Sequence, residues 1–150
     1  MRLSVQQEQF DFGHECNQFA QGAGHLGAGA VVTFCGVVRD TAGALTAMQI
    51  EHYAGMTEKA IAGMMDQATA RWQLDDAMVI HRHGHLTKGE MIMMVATASR
   101  HRAQAFEAAD FLMDYLKSRA PFWKREHGPD GARWVEPSAQ DHADRERWGT

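Results

Sequence analysis

The period of the apolar positions changes several times along this chain, and each change predicts an element. Residues 13–29 grow glycine-rich toward GAGHLGAG, which suggests a short helix running into a loop. Gly29 to Arg39, GAVVTFCGVVR, is apolar and β-branched and reads as a buried strand. After the turn signal TAGA, Leu45 to Tyr53 alternates and reads as its hairpin partner. MTEKAIAGMMDQATARW then switches to helical spacing, with Ile61, Met64, Met65, Ala68 and Trp72 on one stripe, Thr57 as N-cap and Glu58 in the first turn.

Two further strands follow, Ala77 to Leu86 and Glu90 to Ala98, joined by the turn TKGE. A second long helix is expected from about Arg100 to Ser118. Its buried face would be Ala105, Phe106, Ala109, Leu112, Met113 and Leu116, and its polar face Glu107, Asp110, Asp114 and Lys117. Pro121 stops it, because the residue before a proline avoids the α region. FWKREH and ARWVEP flank GPDG and read as a late hairpin, and AQDHADRERW as a short polar helix or a partly disordered tail. The order β-α-β-β-α-β-β-α-β-β predicts an α+β sandwich with a largely antiparallel sheet.

Composition narrows the class. At 150 residues, with 45% apolar and 23% charged residues, the chain fits a single globular domain spanning 1–150. No repeat, low-complexity tract or linker divides it. MRLSVQQEQFDF has no apolar core of a signal peptide, and no run approaches the roughly 18 residues of a membrane span, so a soluble, cytoplasmic protein is expected. A net charge of −4 argues against general nucleic-acid binding. Cys16 and Cys35 show no CxxC spacing, and Cys35 in VVTFCGVV reads as a buried, inert thiol rather than a persulfide carrier. Neither GxGxxG nor GxxxxGK[ST] is present, so nothing supports a dinucleotide or P-loop cofactor.

Against that acidic background, cations cluster locally. Arg39 ends the first long strand, where a guanidinium fork suits phosphate, although a solvated surface Arg is the simpler reading. Ser99-Arg100-His101-Arg102 opens the second helix, with Ser99 as the expected N-cap. Cations there oppose the helix dipole by about 0.3–1 kcal/mol each, a conflict that points either to an anion site or to side chains reaching into water. His81, His83 and His85 alternate on a strand and could converge on a metal, but no acidic or Cys partner at telling spacing joins them, and the expectation is no metal.

KSRAPFWKRE, Lys117 to Glu126, holds four of the fifteen Lys and Arg residues around an aromatic turn. Lys117 is explained by the dipole at a helix C-terminus. Lys124 shares a strand face with Phe122 while Arg125 faces the other way, so a partly desolvated lysine with a lowered pKa is expected at a candidate anion-handling site.

VVTFCGVVRD, IEHYAGMTEKA, VIHRHGHL, SRHRAQAFEAADFLMDYLK and KSRAPFWKRE together resemble the MoaE family, the large catalytic subunits of molybdopterin synthases, over roughly residues 28–148. The resemblance implies an α/β hammerhead-type fold with a small additional antiparallel β subdomain. It implies a sulfurtransferase that converts cyclic pyranopterin monophosphate to molybdopterin, with two dithiolene sulfurs donated by a small ubiquitin-like subunit through its thiocarboxylated C-terminal glycine. It further implies a heterotetramer around a central homodimer, and no resident cofactor.

Carried over by position, Lys117 and Lys124 match the family's active-site lysines. Arg39, His101 and Arg102 match its substrate pocket, with contributions from both protomers. Val37, Val38 and Arg39, with Lys124, Arg125 and Glu126, match segments lining the substrate. The chain departs from the family pattern at Val37, where Lys is frequent, at Ser138, where some relatives are basic, and at His85, where an acidic residue is common. The competing reading is a non-catalytic dimeric scaffold that grips an acidic or C-terminal peptide tail through KSRAPFWKRE.

Overall fold

A computed structural model of the chain describes residues 1–39, 47–128, 131–135 and 139–149. The elements are β1 (Arg2–Gln6), α1 (Phe12–His25), β2 (Ala30–Val37), β3 (Ala47–His52), α2 (Met56–Trp72), β4 (Asp76–Arg82), β5 (Gly84–Thr87), β6 (Met91–Ser99), α3 (Arg102–Ser118), β7 (Phe122–Gly128), β8 (Gly131–Val135) and α4 (Ala139–Glu146). The class is α+β, as the pattern predicted. The strands form two four-stranded sheets, ordered β1-β4-β6-β2 and β5-β3-β7-β8. Among the described strands, only the β1–β4 pair is parallel.

The central strands of the first sheet are apolar on both faces because helices cover both. Met78, Ile80, Met94, Ala96 and Ala98 face α1 and pack with Phe19 and Ala23. Ala77, Val79, Met93 and Val95 face the other way, into a core shared with Ile61, Met65 and Trp72 of α2 and with Leu112 and Leu116 of α3. That core also takes Met48, Ile50 and Leu86 from the second sheet. Thr97 lies on this second face and donates to the Ala105 carbonyl at 2.7 Å, which ties β6 to the first turn of α3.

Several local expectations are corrected. Gly29–Arg39 and the following strand do not form a hairpin: β2 pairs with β6 in the first sheet, while β3 pairs with β5 and β7 in the second. An apolar run announces a strand but not its partner; the TAGA turn itself lies outside the described residues. Nor is β2 fully buried. It is an edge strand, and Val31, Phe34 and Val37 are 37%, 41% and 49% exposed. Ala77 to Leu86 is not one strand but two, β4 and β5, in different sheets. The break falls at Gly84, whose φ of +94° favours glycine and lets the chain cross between sheets.

The helix starts also differ from expectation. The N-cap of α2 is Gly55, not Thr57, and the Glu58 carboxylate accepts from the Gly55 N–H. Thr57 is buried instead. Its hydroxyl accepts from the Tyr53 N–H and donates to the Pro121 carbonyl, each at 3.0 Å, tying α2 to the turn before β7. The N-cap of α3 is His101, without a side-chain bond, and Ser99 belongs to β6. Phe106, placed on the buried face by spacing, is 60% exposed.

Asp114, placed on the polar face, is buried under the C-terminal segment. It accepts from Arg147 Nη2 at 3.0 Å and from the Trp148 indole at 2.5 Å. The tail, left open between helix and disorder, forms α4 and packs on α3. The late hairpin is present, as β7 pairs antiparallel with β8. None of the described helices is long and apolar enough to cross a membrane.

Candidate active site

The site begins where α3 ends. Lys117 lies in its last turn, where a cation suits the dipole, and is exposed. The chain then turns at Ala120–Pro121, and β7 returns along the second sheet. Strand alternation puts Phe122 and Lys124 on one face of β7. Lys117 and Lys124 therefore meet across the turn, and two clefts open from the pair.

One cleft, about 340 Å³, is lined by Phe34, Gly36, Val37 and Arg39 of the β2 end, with His81, Met113 and both lysines. The other, about 700 Å³, runs past Pro121, Phe122 and Trp123 to Trp134 and Val135 of β8 and Asp141 of α4, again with both lysines. The first is a compact pocket edged by a guanidinium. The second is longer and walled by aromatic side chains.

The electrostatics of the pair are unequal. Burial pushes the Lys124 ammonium down to about 8, the positive charge of Lys117 adds to the fall, and Asp141 opposes it. Lys124 can therefore exchange a proton near neutral pH, beside a lysine that stands exposed at the end of α3. This is the desolvated lysine expected from the Phe122/Lys124 alternation.

His81 was read from the sequence only as one of three strand histidines, yet it belongs to this site. Buried in β4, it stacks on Phe122 with ring centroids 3.9 Å apart and planes 17° from parallel, and its Nδ1 lies 2.8 Å from the Arg82 carbonyl. Burial, followed by the charge of Lys124, holds its pKa down at about 3. The strand break at Gly84 separates it from its neighbours in sequence: His83 packs on His52 at 4.1 Å, and His85 in the second sheet lies 6.4 Å from His127. The three imidazoles do not converge.

Other carried-over residues fall into two groups. Val37 and Arg39 line the first cleft with the lysines. Val38 is 2% exposed and turned into the core, its N–H bonded to the Glu90 carbonyl at 2.8 Å. Arg125 faces away from Lys124 and lies 4.2 Å over the Trp134 ring of the neighbouring strand, and Glu126 is likewise outside both clefts. His101 and Arg102 are exposed at the opposite end of α3, about 22 Å from Lys117 at 1.5 Å per residue. One chain cannot bring them to the lysines.

Ser138 lies outside the described residues. Cys35 is half-buried rather than buried, and burial raises its thiol pKa. Sequence reasoning missed Met113, one helical turn before Lys117 on α3, and Phe34, Trp134 and Asp141, which share a cleft with the lysines only through the tertiary fold.

The MoaE protein family model matches residues 5–119. The chain belongs to the MoaE family. It is 62% identical over 148 residues to the molybdopterin synthase catalytic subunit of Cereibacter sphaeroides, covering 99% of this chain and 100% of that one. Its fold superposes on the molybdopterin biosynthesis MoaE protein of Burkholderia ambifaria with a TM-score of 0.82 at 42% identity, over 100% and 99% of the two chains. Molybdopterin synthase from Staphylococcus aureus matches with a TM-score of 0.76 at 27% identity, over 89% and 94%. In this MoaE protein, then, a half-buried and an exposed lysine stand where two clefts join.

Proposed function

We infer that this chain is the catalytic subunit of a molybdopterin synthase, a sulfurtransferase that converts cyclic pyranopterin monophosphate to molybdopterin. The observation that carries this reading is the meeting of two clefts at Lys117 and Lys124 in a MoaE protein. A reaction that joins a small anionic substrate to the end of a partner's chain needs two approaches to one point. The compact cleft with Arg39 suits the pterin phosphate. The longer, aromatic-walled cleft suits an extended C-terminal tail ending in a thiocarboxylate.

In this reading the thiocarboxylate sulfur attacks a side-chain carbon of the pterin phosphate, forming a C–S bond as a C–O bond to that carbon breaks and the departing oxygen leaves as a phosphate oxygen or as water. Water then hydrolyses the acyl–sulfur bond, leaving a thiolate on the substrate and a carboxylate on the tail. Lys117 stabilises negative charge developing on the tail carbonyl. Lys124, whose pKa of about 8 allows both protonation states, moves the proton. The donor is a small ubiquitin-like subunit, in keeping with a relative named for one subunit of a synthase.

Arg39 binds the phosphate, helped by His101 and Arg102 from a second copy of the chain, since the length of α3 keeps these two from the lysines of their own protomer. A central homodimer within a heterotetramer meets that need. Val37 completes the lining of the first cleft, while Val38 packs in the core behind it and Arg125 and Glu126 flank Lys124 on β7 outside both clefts. The chain works as one domain in the cytoplasm, its main core drawing on both sheets.

Reconstitution with a thiocarboxylated small subunit and cyclic pyranopterin monophosphate, reading dithiolene product, tests the proposal. Product is expected. Binding of the small subunit without product, under conditions where a relative's enzyme turns over, would instead favour a non-catalytic scaffold.

A further inference from the structure

We propose that β2 is the edge on which two copies of this chain join: the two β2 strands pair antiparallel about a twofold axis at Phe34, and this register sets His101 and Arg102 of one copy beside Arg39 of the other. The inference deepens the synthase reading and rests on it for its catalytic consequence. That reading requires a second copy and leaves open where it joins.

The edge itself is unguarded. An open strand edge invites pairing, and proteins blunt such edges with charge, proline or short length. Among the described residues, the other edge strands β1, β5 and β8 have five, four and five residues. β2 has eight, AVVTFCGV, with neither a charged residue nor a proline. Where its pairing with β6 slips, between Gly36 and Val37, the unpaired residue is Ile92 of β6, so β2 itself runs on without an insertion.

Its exposed hydrophobics are Val31, Phe34 and Val37. They are evenly spaced about Phe34, so the pattern reads the same from either end. An antiparallel copy centred on Phe34 sets Phe34 against Phe34, Val31 against Val37 and Thr33 against Cys35, twice over. In that register all three apolar side chains leave water against each other.

The same axis completes the site, because β2 and α3 run side by side in the same direction. At their start, Ala30 pairs with Ser99, the Gly29 N–H donates to the Ser99 carbonyl at 3.0 Å, and a Cβ on Gly29 would lie 2.5 Å from the Arg100 carbonyl oxygen. At their end, Val37 and Arg39 share the first cleft with Met113 and Lys117. From Ala30 to Val37 is about 23 Å at 3.3 Å per residue, close to the length of α3 that parts His101 and Arg102 from Lys117.

An axis perpendicular to the sheet reverses β2 and keeps both α3 helices on one face. Arg39 of one copy then falls opposite Gly29 of the other, which touches Arg100 at the start of α3. His101 and Arg102 arrive with it at the mouth of the first cleft.

Light scattering on the unaltered chain should give twice the mass of one chain. Phe34→Lys, which sets two like charges on the axis, should give the mass of one. Phe34 is exposed in the single chain, so this variant should keep its fold, as circular dichroism would check. Thr33→Cys, in a chain also carrying Cys16→Ser, sets a thiol opposite Cys35 of the other copy. The cross-strand Cα spacing of about 4.5–5.5 Å suits a disulfide. Mild oxidation should link two chains through Cys35, as read by mass spectrometry, and adding Cys35→Ser should abolish the link.

A monomeric unaltered chain, a dimeric Phe34→Lys, or a link that survives Cys35→Ser would overturn the proposal. If Phe34→Lys stays dimeric but no longer binds the thiocarboxylated small subunit, the edge belongs to that subunit instead. If the link forms through Cys35 while the reconstituted enzyme makes no product, the synthase reading fails and the β2 pairing stands. Product from a chain that stays monomeric removes the pairing and leaves the synthase reading in place.

Discussion

The ring of His81 in the first sheet lies against the ring of Phe122 in the second, 3.9 Å between centroids and 17° from parallel. The imidazole is held neutral there, with its pKa depressed to about 3 from 6.5. The unfolded chain binds this proton near pH 6.5 and the folded chain does not until about pH 3. Acid in that window therefore favours unfolding. Stability from the neutral stack is fully present above pH 6.5 and declines as pH falls toward 3. Melting temperatures measured between pH 7.5 and 5 should drop with acid, and His81→Gln should flatten that slope. His83, whose pKa is also lowered, leaves part of it in place. A slope identical in the variant would show that His81 titrates alike in both states.

Lys117→Ala and Lys124→Ala should fold normally, since one side chain is exposed and the other lines open clefts. Each should lower product formation by roughly 10²–10⁴-fold, the range for a lost proton-transfer or charge-stabilising group. Lys124→Arg separates the roles: it keeps a cation but cannot lose a proton near neutral pH. Its rate should fall nearly as far as that of the Ala variant. The limb of the pH–rate profile near 8 should also disappear. Near-normal turnover in Lys124→Arg would remove proton transfer from this residue.

Much of this arrangement was legible in the sequence, and the failures share a cause. Periodicity located α2, α3 and the late hairpin, because one buried face repeats within each segment. Alternation on β7 exposed the Phe122/Lys124 pairing, and the aromatic neighbour correctly implied a depressed lysine pKa. Strand partners were not legible: GAVVTFCGVVR is equally apolar as a central strand or as an edge strand such as β2. The run from Ala77 to Leu86 hid a change of sheet, because Gly84 interrupts the pattern for only one residue. His81 and Asp141 reach the site through contacts between distant segments, and no local spacing records those.

The 17-residue length of α3 separates His101 and Arg102 from Lys117 within one chain, which makes a complementation experiment decisive. If two copies build each pocket, Arg102→Ala and Lys117→Ala damage different halves of it. Each variant alone should be nearly inactive. Mixing them to form dimers with one chain of each kind should restore one intact site of the two in each mixed dimer, and therefore measurable product. The same mixture should stay inactive when both substitutions sit on one chain and the partner chain carries Lys117→Ala. No recovery in mixed dimers would mean that His101 and Arg102 serve another purpose.

Asp114 gathers the C-terminal segment onto α3. Its carboxylate accepts from Arg147 Nε and Nη2 at 3.2 and 3.0 Å and from the Trp148 indole at 2.5 Å, while Trp148 packs edge-on against Trp72 and Phe111. Asp114→Ala removes a buried acceptor from three donors, with an expected loss of about 2–3 kcal/mol in urea unfolding. The consequence reaches the site, because α4 carries Asp141, whose charge supports the protonated form of Lys124. Releasing α4 should therefore lower the Lys124 pKa below 8 and raise the susceptibility of residues 139–149 to proteolysis. Trp148→Phe, which keeps much of the ring packing and loses only the indole N–H, should show a smaller loss and an unshifted lysine. If Asp114→Ala frees the tail while Lys124 titrates unchanged, Asp141 does not tune the lysine pair.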